Sequence, residues 1–481
     1  MLCLFRYTVE EKAVMVYNLI RDGEVMKTLT PQIIAEVTGG EYIGSDSSRD
    51  TPVKGAVRDN RDVKPGNLFV CVCGERVDGH SFADSAFDSG AACCLAERKI
   101  TDAKGPYVLV ESTLKAIKIL GEYYRSLFSL PVIGITGSVG KTTAKEIIAA
   151  VLGARFNVLK TEMNMNNELG VPLTLLSLDE HHEAAVIEMG ISDFGEMGRL
   201  AQMVRPDIFL ITKIGYSHIV ELGDLQGVLR AKTEAFAYMK PSGIAILNGD
   251  DELLMDFDPK MRKITYGLNE FNDVRVTNII QENIDTIKFD IISGMDVLPV
   301  KIPAYGSHLA SLAAAAVITG RLLGSTDEEI CKGFMSYKPV EGRSRVTKSN
   351  EMTLIDDCYN ANPNSVKAAL TSLATLKGRR VAILGDMFNL GEHSGQMHYE
   401  VGVCAANSGI EVLLCQGGQA RFIYEGYLTA GGNHAFYFEL MTELKTNIQD
   451  KIKKGDTILV KASRGMHFED LLPVISSLLP G

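Results

Sequence analysis

The sequence has no apolar stretch long enough to cross a bilayer. Its apolar runs are far shorter than the roughly 18 residues that a membrane-spanning helix needs. The first segment, from Met1 to Val25, is interrupted by charged residues such as Arg6 and Lys12, so it lacks the continuous apolar core of a signal peptide. We therefore expect no membrane insertion and a protein that remains in the cytoplasm.

Patterns for zinc and for disulfides are also missing. The 9 cysteines include no C-x-x-C pair, and no histidine stands at a spacing that would suit zinc. An odd number of scattered cysteines is typical of reduced thiols in a cytoplasmic enzyme. We expect no structural metal held by cysteine.

The chain has fewer basic than acidic residues. The chain has 49 Lys and Arg against 60 Asp and Glu, which gives a formal net charge of -11. A nucleic-acid surface is held mainly by Lys and Arg, so this balance argues against a nucleic-acid partner. Any anionic ligand must be bound by a local site.

The length and composition predict a multidomain globular protein. The 481 residues, 46% hydrophobic and 23% charged, are too many for one core, and there is no internal repeat or low-complexity tract. We divide the chain into an N-terminal extension (1–25), a first domain (26–129), a central domain (130–340) and a C-terminal domain (341–481).

Alternating apolar runs and helical patterns predict an α/β fold. The central domain contains the runs "VIGITG", "AAVIEMG", "DIFLITKIG" and "GIAILNGDD", which are typical of buried parallel strands. A second series follows "EGRSR" (341–345) and comprises "MTLIDD", "RRVAILGDM", "EVLLCQGG" and "DTILVKASRG". We expect a mixed α/β first domain, a central parallel sheet, and a smaller Rossmann-like parallel sheet with helices on both faces.

A glycine-rich loop follows the first strand of the central domain. The full phosphate-loop pattern has Gly, four residues, then Gly-Lys-Thr, but Ile135 stands at the first glycine position, so only Gly137-x-x-Gly140-Lys141-Thr142-Thr143 remains. Its backbone N–H groups can close on phosphate oxygens, Lys141 can neutralise charge, and Thr142 can offer a hydroxyl to Mg²⁺. Strand, loop and helix stand in the required order, which favours ATP or GTP binding over a glycine turn before a core helix.

Three polar residues further along the chain are candidate partners of this loop. Glu188 ends the strand "AAVIE" at the edge where ligands of open α/β sheets collect, and its carboxylate suits magnesium. His218 follows the next strand, and Lys232 lies in the helical stretch "LQGVLRAKTEAFAYM". Taken alone, His218 is more often an ordinary loop residue and Lys232 a solvated helix lysine.

The chain resembles the Mur ligases, the ATP-dependent amide-forming enzymes of peptidoglycan synthesis, over about residues 26–481. The segments that carry the resemblance are "TGSVGKTT" (136–143), "NMNNELGVPLTLL" (164–176), "IEMG" (187–190), "IGYSHIVELG" (214–223) and "AKTE" (231–234). It implies that Thr142, Glu188, His218 and Lys232 hold two magnesium ions, with Lys232 modified by carbon dioxide to a carbamate. A carbamate turns a cationic amine into an oxygen-bearing anion that a second Mg²⁺ can accept.

Motifs in the first and C-terminal domains indicate which group of Mur ligases the chain resembles. "LIDDCYNANPNSVKAAL" (354–370), "VAILGDMFNLGEHS" (381–394) and "RDNRDVKPGNLFVCVCGERVDGHSF" (58–82) resemble the members that add D-alanyl-D-alanine to UDP-N-acetylmuramoyl-tripeptide. Taken alone, "YNANPNS" is ordinary turn chemistry. The resemblance further implies that Arg343 reaches the transferred phosphate and that the chain acts as a monomer.

The resemblance assigns contacts residue by residue. The nucleotide contacts are Gly137, Ser138, Val139, Gly140, Lys141, Thr142, Thr143, Asn248, His308, Asp356, Asp357 and Asn360. The substrate contacts are Asn60, Arg61, Asp78, Gly79, His80, Asn166, Asn167, Tyr359, Asn362, Lys461, Ser463 and Arg464.

The sequence departs from the family pattern at several positions. The asparagines of the family's "GxHNxxN" are Leu309 and Leu312, the acidic residue of its "MxELGE" is Asn389, and the serine of its "DSR" is Asn60. Other interpretations therefore stay open: another Mur-type or folylpolyglutamate-like ligase, a P-loop switch that makes no bond, or a catalytically silent paralogue.

Overall fold

A computed structural model describes residues 28–74, 77–348 and 352–478, so the predicted extension 1–25 lies outside the described residues. The described chain forms two compact units. The first contains the described residues up to Leu130 together with Thr161–Glu183 and Gln202–Val204, and the second contains the remaining residues from Pro131 onward. Among the described residues, no helix combines the length and apolar character that a bilayer span requires.

The first unit is built on a small mixed sheet. Within the described residues its strand order is β1-β5-β4-β3-β2, with β1 antiparallel to β5 and the other pairs parallel. The first helix begins where Thr30 accepts a hydrogen bond from the Ile33 N–H and ends at Gly39. The elements are α1 (Pro31–Thr38), β1 (Glu41–Ile43), β2 (Ala56–Val57), β3 (Leu68–Val70), α2 (Ala83–Asp88), β4 (Cys93–Ala96), β5 (Tyr107–Leu109) and α3 (Thr113–Ser126).

The central sheet is mostly parallel, as predicted. Its order is β14-β13-β12-β11-β10-β9-β6-β8-β7, and the pairs from β7 to β12 are parallel. The elements are β6 (Val132–Thr136), α4 (Lys141–Leu152), β7 (Val158–Lys160), α5 (Gly170–Leu175), β8 (Ala184–Glu188), α6 (Glu196–Val204), β9 (Ile208–Ile211), α7 (Ile219–Leu222), α8 (Leu225–Thr233), β10 (Ile244–Asn248), α9 (Glu252–Asp256), β11 (Arg262–Gly267), β12 (Val274–Asn283), β13 (Thr286–Ser293), β14 (Asp296–Ile302), α10 (His308–Leu322) and α11 (Asp327–Ser336).

Two features of this region differ from the sequence-based expectation. Strands β12, β13 and β14 form an antiparallel meander that was not predicted, although the alternating apolar and polar residues of "VRVTNIIQ" and "DVLPVKI" carry a period-two signal. The α-helix around Lys232 ends at Thr233 and continues as a 3-10 turn, Glu234–Tyr238. The Glu234 carboxylate accepts hydrogen bonds from Gly195 and Gly198, which ties the turn to the start of α6.

The C-terminal sheet is buried on both faces, as predicted. Its order is β15-β16-β20-β17-β18-β19, and all pairs but β15–β16 are parallel. Alternate residues enter opposite cores: Ala382 and Leu384 pack in one, and Val381 and Ile383 in the other. The elements are β15 (Arg345–Lys348), β16 (Thr353–Asp356), α12 (Pro363–Ala374), β17 (Arg379–Gly385), α13 (Ser394–Asn407), β18 (Val412–Gln416), α14 (Ala420–Thr429), β19 (Ala435–Phe438), α15 (Met441–Asn447), β20 (Asp456–Lys461) and α16 (Leu471–Ser477).

Candidate active site

The glycine loop connects the end of β6 to the start of α4. Gly140 takes the N-cap position with φ of 83°, and the helix begins at Lys141. The first N–H groups of α4 therefore open onto the carboxyl edge of the sheet, where the helix dipole favours an anion. The helix ends at Leu152, with Gly153 as C-cap.

Gly137 allows this loop to pack tightly against the next strand. A Cβ at this position would lie 2.0 Å from Thr212 Oγ1, and the φ of Gly137 is +146°. The Thr212 hydroxyl in turn donates to the carbonyls of Val139, at 2.5 Å, and Thr136, at 3.2 Å. The side chain of Thr212 thus fixes the loop, and only glycine fits beside it.

Ser138 forms hydrogen bonds with the segment that follows β9. Its N–H donates to the Lys213 carbonyl at 2.8 Å, and its hydroxyl exchanges hydrogen bonds with the Gly215 peptide, donating at 2.9 Å and accepting at 3.0 Å. These bonds attach the loop to the segment that leads to His218. Both hydrogen-bond donors of Ser138 are therefore engaged within the protein. Its predicted contact with nucleotide stays a prediction.

A cation and a carboxylate meet beside the loop. Lys141 donates from Nζ to the Gly137 carbonyl at 2.6 Å, and Thr142 Oγ1 donates to Glu188 Oε1 at 3.2 Å. Burial lowers the pKa of Lys141, Glu188 acts in the opposite direction, and the charge of Arg343 lowers it further. The charges of Glu188 and Arg343 therefore both act on Lys141 beside the loop.

Lys232 and His218 belong to the same cluster. The side chain of Lys232 is fully buried, and this burial, with the charge of Lys141, puts its pKa well below the usual range of a lysine. Burial also lowers the pKa of His218, and the charges of Lys232 and Lys141 add to that effect. The structure thus brings together Lys141, Thr142, Glu188, His218 and Lys232, which are far apart in sequence.

A cleft within the second unit joins this cluster to the C-terminal sheet. Its residues come from the glycine loop, the start of α10, the segment after α11 and the C-terminal part. They include Val139, Gly140, Thr143, Tyr305, His308, Leu309, Tyr337, Arg343, Ser344, Asp357, Ser365 and Lys461. Within the described residues, the Tyr305 hydroxyl and His308 Nδ1 are buried without a hydrogen-bond partner, so polar ligand groups can be satisfied there. Tyr305 was not predicted, because a lone tyrosine after a strand carries no distinguishing sequence signal.

The acidic pair of the C-terminal part makes internal contacts. Asp356 accepts a hydrogen bond from the Gly342 N–H at 3.0 Å, and Asp357 accepts from Ser344 N–H at 3.1 Å and from Lys461 Nζ at 2.6 Å. These carboxylates hold the segment around Arg343. Their predicted contacts with nucleotide, and that of Lys461 with substrate, remain predictions.

Several other predicted contact residues shape turns. Asn362 is the N-cap of α12 and forms a capping box with Ser365, and Asn360 Oδ1 accepts from the Ala361 N–H. Ser463 Oγ donates to the Ala361 carbonyl and accepts from the Phe388 N–H. The turn chemistry of "YNANPNS" is therefore real, whatever further role these residues have.

Asn248 is engaged in the same way at the end of β10. Its Nδ2 donates to the Thr212 carbonyl at 2.9 Å, and its Oδ1 accepts from the Asp250 N–H at 3.0 Å. These bonds join β10 to the end of β9. Its predicted nucleotide contact is untested.

Comparison with known proteins agrees with this geometry. Residues 52–124 match the family described as "Mur ligase family, catalytic domain", residues 135–320 match "Mur ligase middle domain", and residues 342–464 match "Mur ligase, glutamate ligase domain". The UDP-N-acetylmuramoyl-tripeptide--D-alanyl-D-alanine ligase of Bacillus subtilis is 35% identical over 449 residues, which cover 92% of this chain and 97% of that protein.

The chain belongs to the Mur ligase family.

Solved structures of the family extend this likeness to three dimensions. MurF from Acinetobacter baumannii matches with a TM-score of 0.83 at 30% identity, covering 94% of this chain and 99% of that one. MurF ligase from Thermotoga maritima in complex with ADP matches with a TM-score of 0.78 at 28% identity, covering 90% and 99%. The predicted resemblance and the three-domain α/β fold class are confirmed.

The phosphate-loop cluster of this Mur ligase suits a hard cation. The Thr142 hydroxyl and the Glu188 carboxylate supply oxygen donors 3.2 Å apart at the start of α4, which matches the preference of Mg²⁺. The buried amine of Lys232 is a poor neighbour for a second cation as long as it carries a proton. The donor set therefore fits one magnesium ion directly, and a carbamate on Lys232 would supply the oxygen ligands for a second.

Seven of the predicted substrate contacts, from Asn60 to Asn167, lie in the first unit. Asn60 Nδ2 donates to Ser85 Oγ at 3.1 Å, and Arg61 donates to the Asp59 carboxylate, lowering the pKa of Asp59 to about 2. Asn167 Oδ1 accepts from the N–H groups of Leu169 and Gly170 at the start of α5. Asn166 lies in the same loop of this unit.

His80 has no ring nitrogen free. Its Nε2 accepts from the Glu97 N–H at 2.9 Å, so its Nδ1 carries the proton and donates to Asp78 at 2.7 Å. Asp78 also accepts a hydrogen bond from Arg98 and caps the turn that begins at Gly79. The hydrogen bonds from Arg98 and His80 lower the pKa of Asp78. Although one ligand atom from each of Cys73, Asp78 and His80 lies within 4.8 Å of the other two, the Nδ1 proton of His80 and the charge of Arg98 disfavour a metal there. This cluster shapes the turn that carries the predicted substrate contacts Asp78, Gly79 and His80.

Proposed function

We propose that this Mur ligase joins D-alanyl-D-alanine to UDP-N-acetylmuramoyl-tripeptide, using ATP, in the synthesis of peptidoglycan precursors. The main support is the cleft in which glycine-loop residues, Arg343 and the segment after β16 face one another. The names of the relatives from Bacillus subtilis and Escherichia coli give the same reaction. A cytoplasmic location agrees with the cysteines of the described residues, which are all free.

The proposed reaction has two steps. The carboxylate of the UDP-linked tripeptide attacks the γ-phosphorus of ATP, which forms an acyl phosphate and releases ADP. The free amine of D-alanyl-D-alanine then attacks the acyl carbon, the tetrahedral intermediate expels inorganic phosphate, and the amine proton leaves to solvent. The chain's part is positioning and charge neutralisation, which dominate phosphoryl transfer.

Two cations of the chain are suited to the transferring phosphate. Lys141 stands at the start of α4, and Arg343 faces it from the segment that leads into the C-terminal sheet. Because an acyl phosphate is hydrolysed by water, a cleft walled by residues such as Leu309 and Tyr337 also protects the intermediate. These two cations carry the phosphate-binding part of the proposal.

Thr142, Glu188 and His218 would hold magnesium, which neutralises the phosphate oxygens when bound. A carbamate on Lys232 would complete a second magnesium site. The chemistry of this modification is favourable, because burial lowers the pKa of Lys232 and so favours the neutral amine, which is the form that attacks carbon dioxide. The attack forms an N–C bond and releases one proton.

The remaining assignments follow the proposed domain division. The first domain (26–129) would bind the UDP moiety near Asn60, Arg61 and the turn 78–80. The C-terminal domain (341–481) would bind the dipeptide near Tyr359, Arg464 and the β20 end. We propose a monomeric enzyme.

Phosphate release from purified protein tests the reaction. With ATP and UDP-N-acetylmuramoyl-tripeptide, we expect sustained release only when D-alanyl-D-alanine is added, with single D-amino acids and L-glutamate as negative controls. Release without any acceptor would favour a P-loop switch, and release only with UDP-muramoyl-dipeptide and an amino acid would favour another Mur-type ligase. Tripeptide binding without dipeptide-dependent release would indicate a silent paralogue.

Thr142→Val tests the magnesium assignment. Valine keeps the shape of threonine but removes the hydroxyl that faces Glu188. We expect turnover to fall about 10- to 100-fold and the magnesium requirement to rise. The measurement is turnover as a function of Mg²⁺ concentration, with Thr371→Val on α12 as control. An unchanged magnesium dependence in Thr142→Val would remove this residue from the metal site.

A further inference from the structure

The backbone on both sides of Arg343 is fixed by the segment that follows β16. Asp356 and Asp357 accept hydrogen bonds from the N–H groups of Gly342 and Ser344, at 3.0 and 3.1 Å. The Tyr359 N–H donates to the Gly342 carbonyl at 3.1 Å. Little freedom therefore remains at residue 343 except in its side chain.

Gly342 brings this backbone close to Tyr359. Its φ is +71°, and a Cβ added there would lie 2.9 Å from the Tyr359 Cβ. A residue with a side chain would push the two segments apart. The close approach places the Tyr359 ring directly beside the side chain of Arg343.

The ring orients the guanidinium and leaves its charge available. Arg343 Cζ lies 4.2 Å from the centroid of the Tyr359 ring, within the range of a cation–π contact. In the three described ranges, Arg343 forms no ion pair with a carboxylate. A carboxylate would also orient Arg343, but it would cancel the charge that an anionic ligand needs.

Arg464 shows the contrast on the same ring. Its Cζ lies 5.5 Å from the Tyr359 centroid, but its guanidinium pairs with Glu469 at 3.2 Å. Its charge is therefore partly compensated within the protein. Of these two arginines, Arg343 keeps the uncompensated charge.

Arg343 points towards the phosphate loop. It lines the same cleft as Val139, Gly140 and Thr143. The side chain held by Tyr359 therefore lies where the phosphates of a nucleotide would be bound.

We propose that Tyr359 is a positioning residue for phosphoryl transfer, and that its ring holds the Arg343 guanidinium towards the phosphate loop. This inference rests on the proposed function, because it assigns Arg343 to the phosphate that is transferred. It differs from a substrate contact of Tyr359, since it requires the aromatic face and does not require the hydroxyl group.

Tyr359→Leu and Tyr359→Phe test the proposal as a matched pair. Leucine keeps an apolar side chain but has no π face, whereas phenylalanine keeps the face and lacks only the hydroxyl. We expect Tyr359→Leu to lower kcat of dipeptide-dependent phosphate release about 5- to 30-fold. The KM values for UDP-N-acetylmuramoyl-tripeptide and for D-alanyl-D-alanine should stay nearly unchanged. Tyr359→Phe should retain kcat within about 2-fold, because the ring face is preserved.

A double mutant separates positioning from packing. In an Arg343→Ala background, Tyr359→Leu should cause no further loss of kcat, because the group that the ring positions is gone. Additive losses would overturn the proposal. So would a Tyr359→Phe variant as defective as Tyr359→Leu, or a rise in KM with unchanged kcat, since both indicate a direct contact between Tyr359 and substrate.

A binding measurement keeps the test independent of the acceptor substrates. Calorimetry gives the affinity ratio between a non-hydrolysable ATP analogue and ADP for each variant. We expect Tyr359→Leu to reduce this ratio and Tyr359→Phe to preserve it. If wild-type protein turns over none of the named substrates, the proposed function fails, and this ratio still decides whether Tyr359 positions Arg343: an unchanged ratio in Tyr359→Leu would then overturn the inference.

Discussion

Replacing Lys232 with methionine is expected to reduce ligase turnover by on the order of 10³-fold, because an anionic magnesium ligand contributes several kcal/mol to the stabilisation of transition-state charge. Methionine is close to lysine in length but cannot form a carbamate. Depleting carbon dioxide should lower wild-type turnover, and bicarbonate should restore it. The mutant should respond to neither change.

The same substitution should not lower the stability of the folded protein. Lys232 is 1% exposed, and its buried amine has a pKa well below the usual value, so its burial is unfavourable to folding. Lys232→Met should therefore melt at the same temperature as wild type or higher, which separates lost chemistry from lost structure. Lys240→Met, at an exposed lysine, is the control for turnover. If Lys232→Met kept wild-type turnover, the carbamate would have no part in the mechanism.

Lys461→Met is expected to destabilise the C-terminal part by about 3–5 kcal/mol, because it leaves Asp357 as a buried charge without its cation. The two side chains are 3% and 11% exposed, and their atoms Nζ and Oδ2 lie 2.6 Å apart. Lys461 Nζ also donates to the Asn360 carbonyl at 3.0 Å, so that carbonyl loses a donor as well. Denaturant titration with a far-UV signal measures the loss.

Two further variants give this prediction its controls. Lys367→Met removes the surface pair Lys367–Glu400, whose side chains are 36% and 48% exposed, and should cost at most about 1 kcal/mol. The double variant Lys461→Met with Asp357→Leu removes both charges and should be more stable than Lys461→Met alone. If Lys461→Met behaved like Lys367→Met, the buried pair would not stabilise the fold.

The local elements of the second unit could be predicted from sequence because their signals are local. The apolar run "VIGIT", the glycines after it and the period of Ile147, Ile148, Val151 and Leu152 predict β6, the loop and α4, and all three are present. The antiparallel meander β12–β14 was not predicted, because register shifts between Thr277 and Ile280 and between Gln281 and Asn283 interrupt the alternation of apolar and polar residues in β12. The helix end at Thr233 was missed because it depends on Glu234, whose partners lie in another element.

Some residues of the candidate site could likewise be predicted from the sequence, and others could not. Residue types and their order indicated Lys141, Thr142 and Glu188, since Glu188 ends a strand and the other two follow the loop after a strand, all at the carboxyl edge of the sheet. The sequence could not show that Asp356 and Asp357 hold the backbone beside Arg343, because these bonds join residues brought together by β15 and β16. Nor could it indicate Tyr305, whose hydroxyl matters only because it is buried in the cleft.

By itself, the sequence determined the α/β class, the phosphate loop and the family, because periodicity, turn chemistry and motif order are properties of neighbouring residues. Only the tertiary structure decided which of these residues meet and in what state. Lys232 is the clearest case: as a helix lysine it would be solvated and charged, but in the folded protein its burial, together with the charge of Lys141, lowers its pKa. Burial is produced by packing between distant segments, so no local pattern could have revealed it.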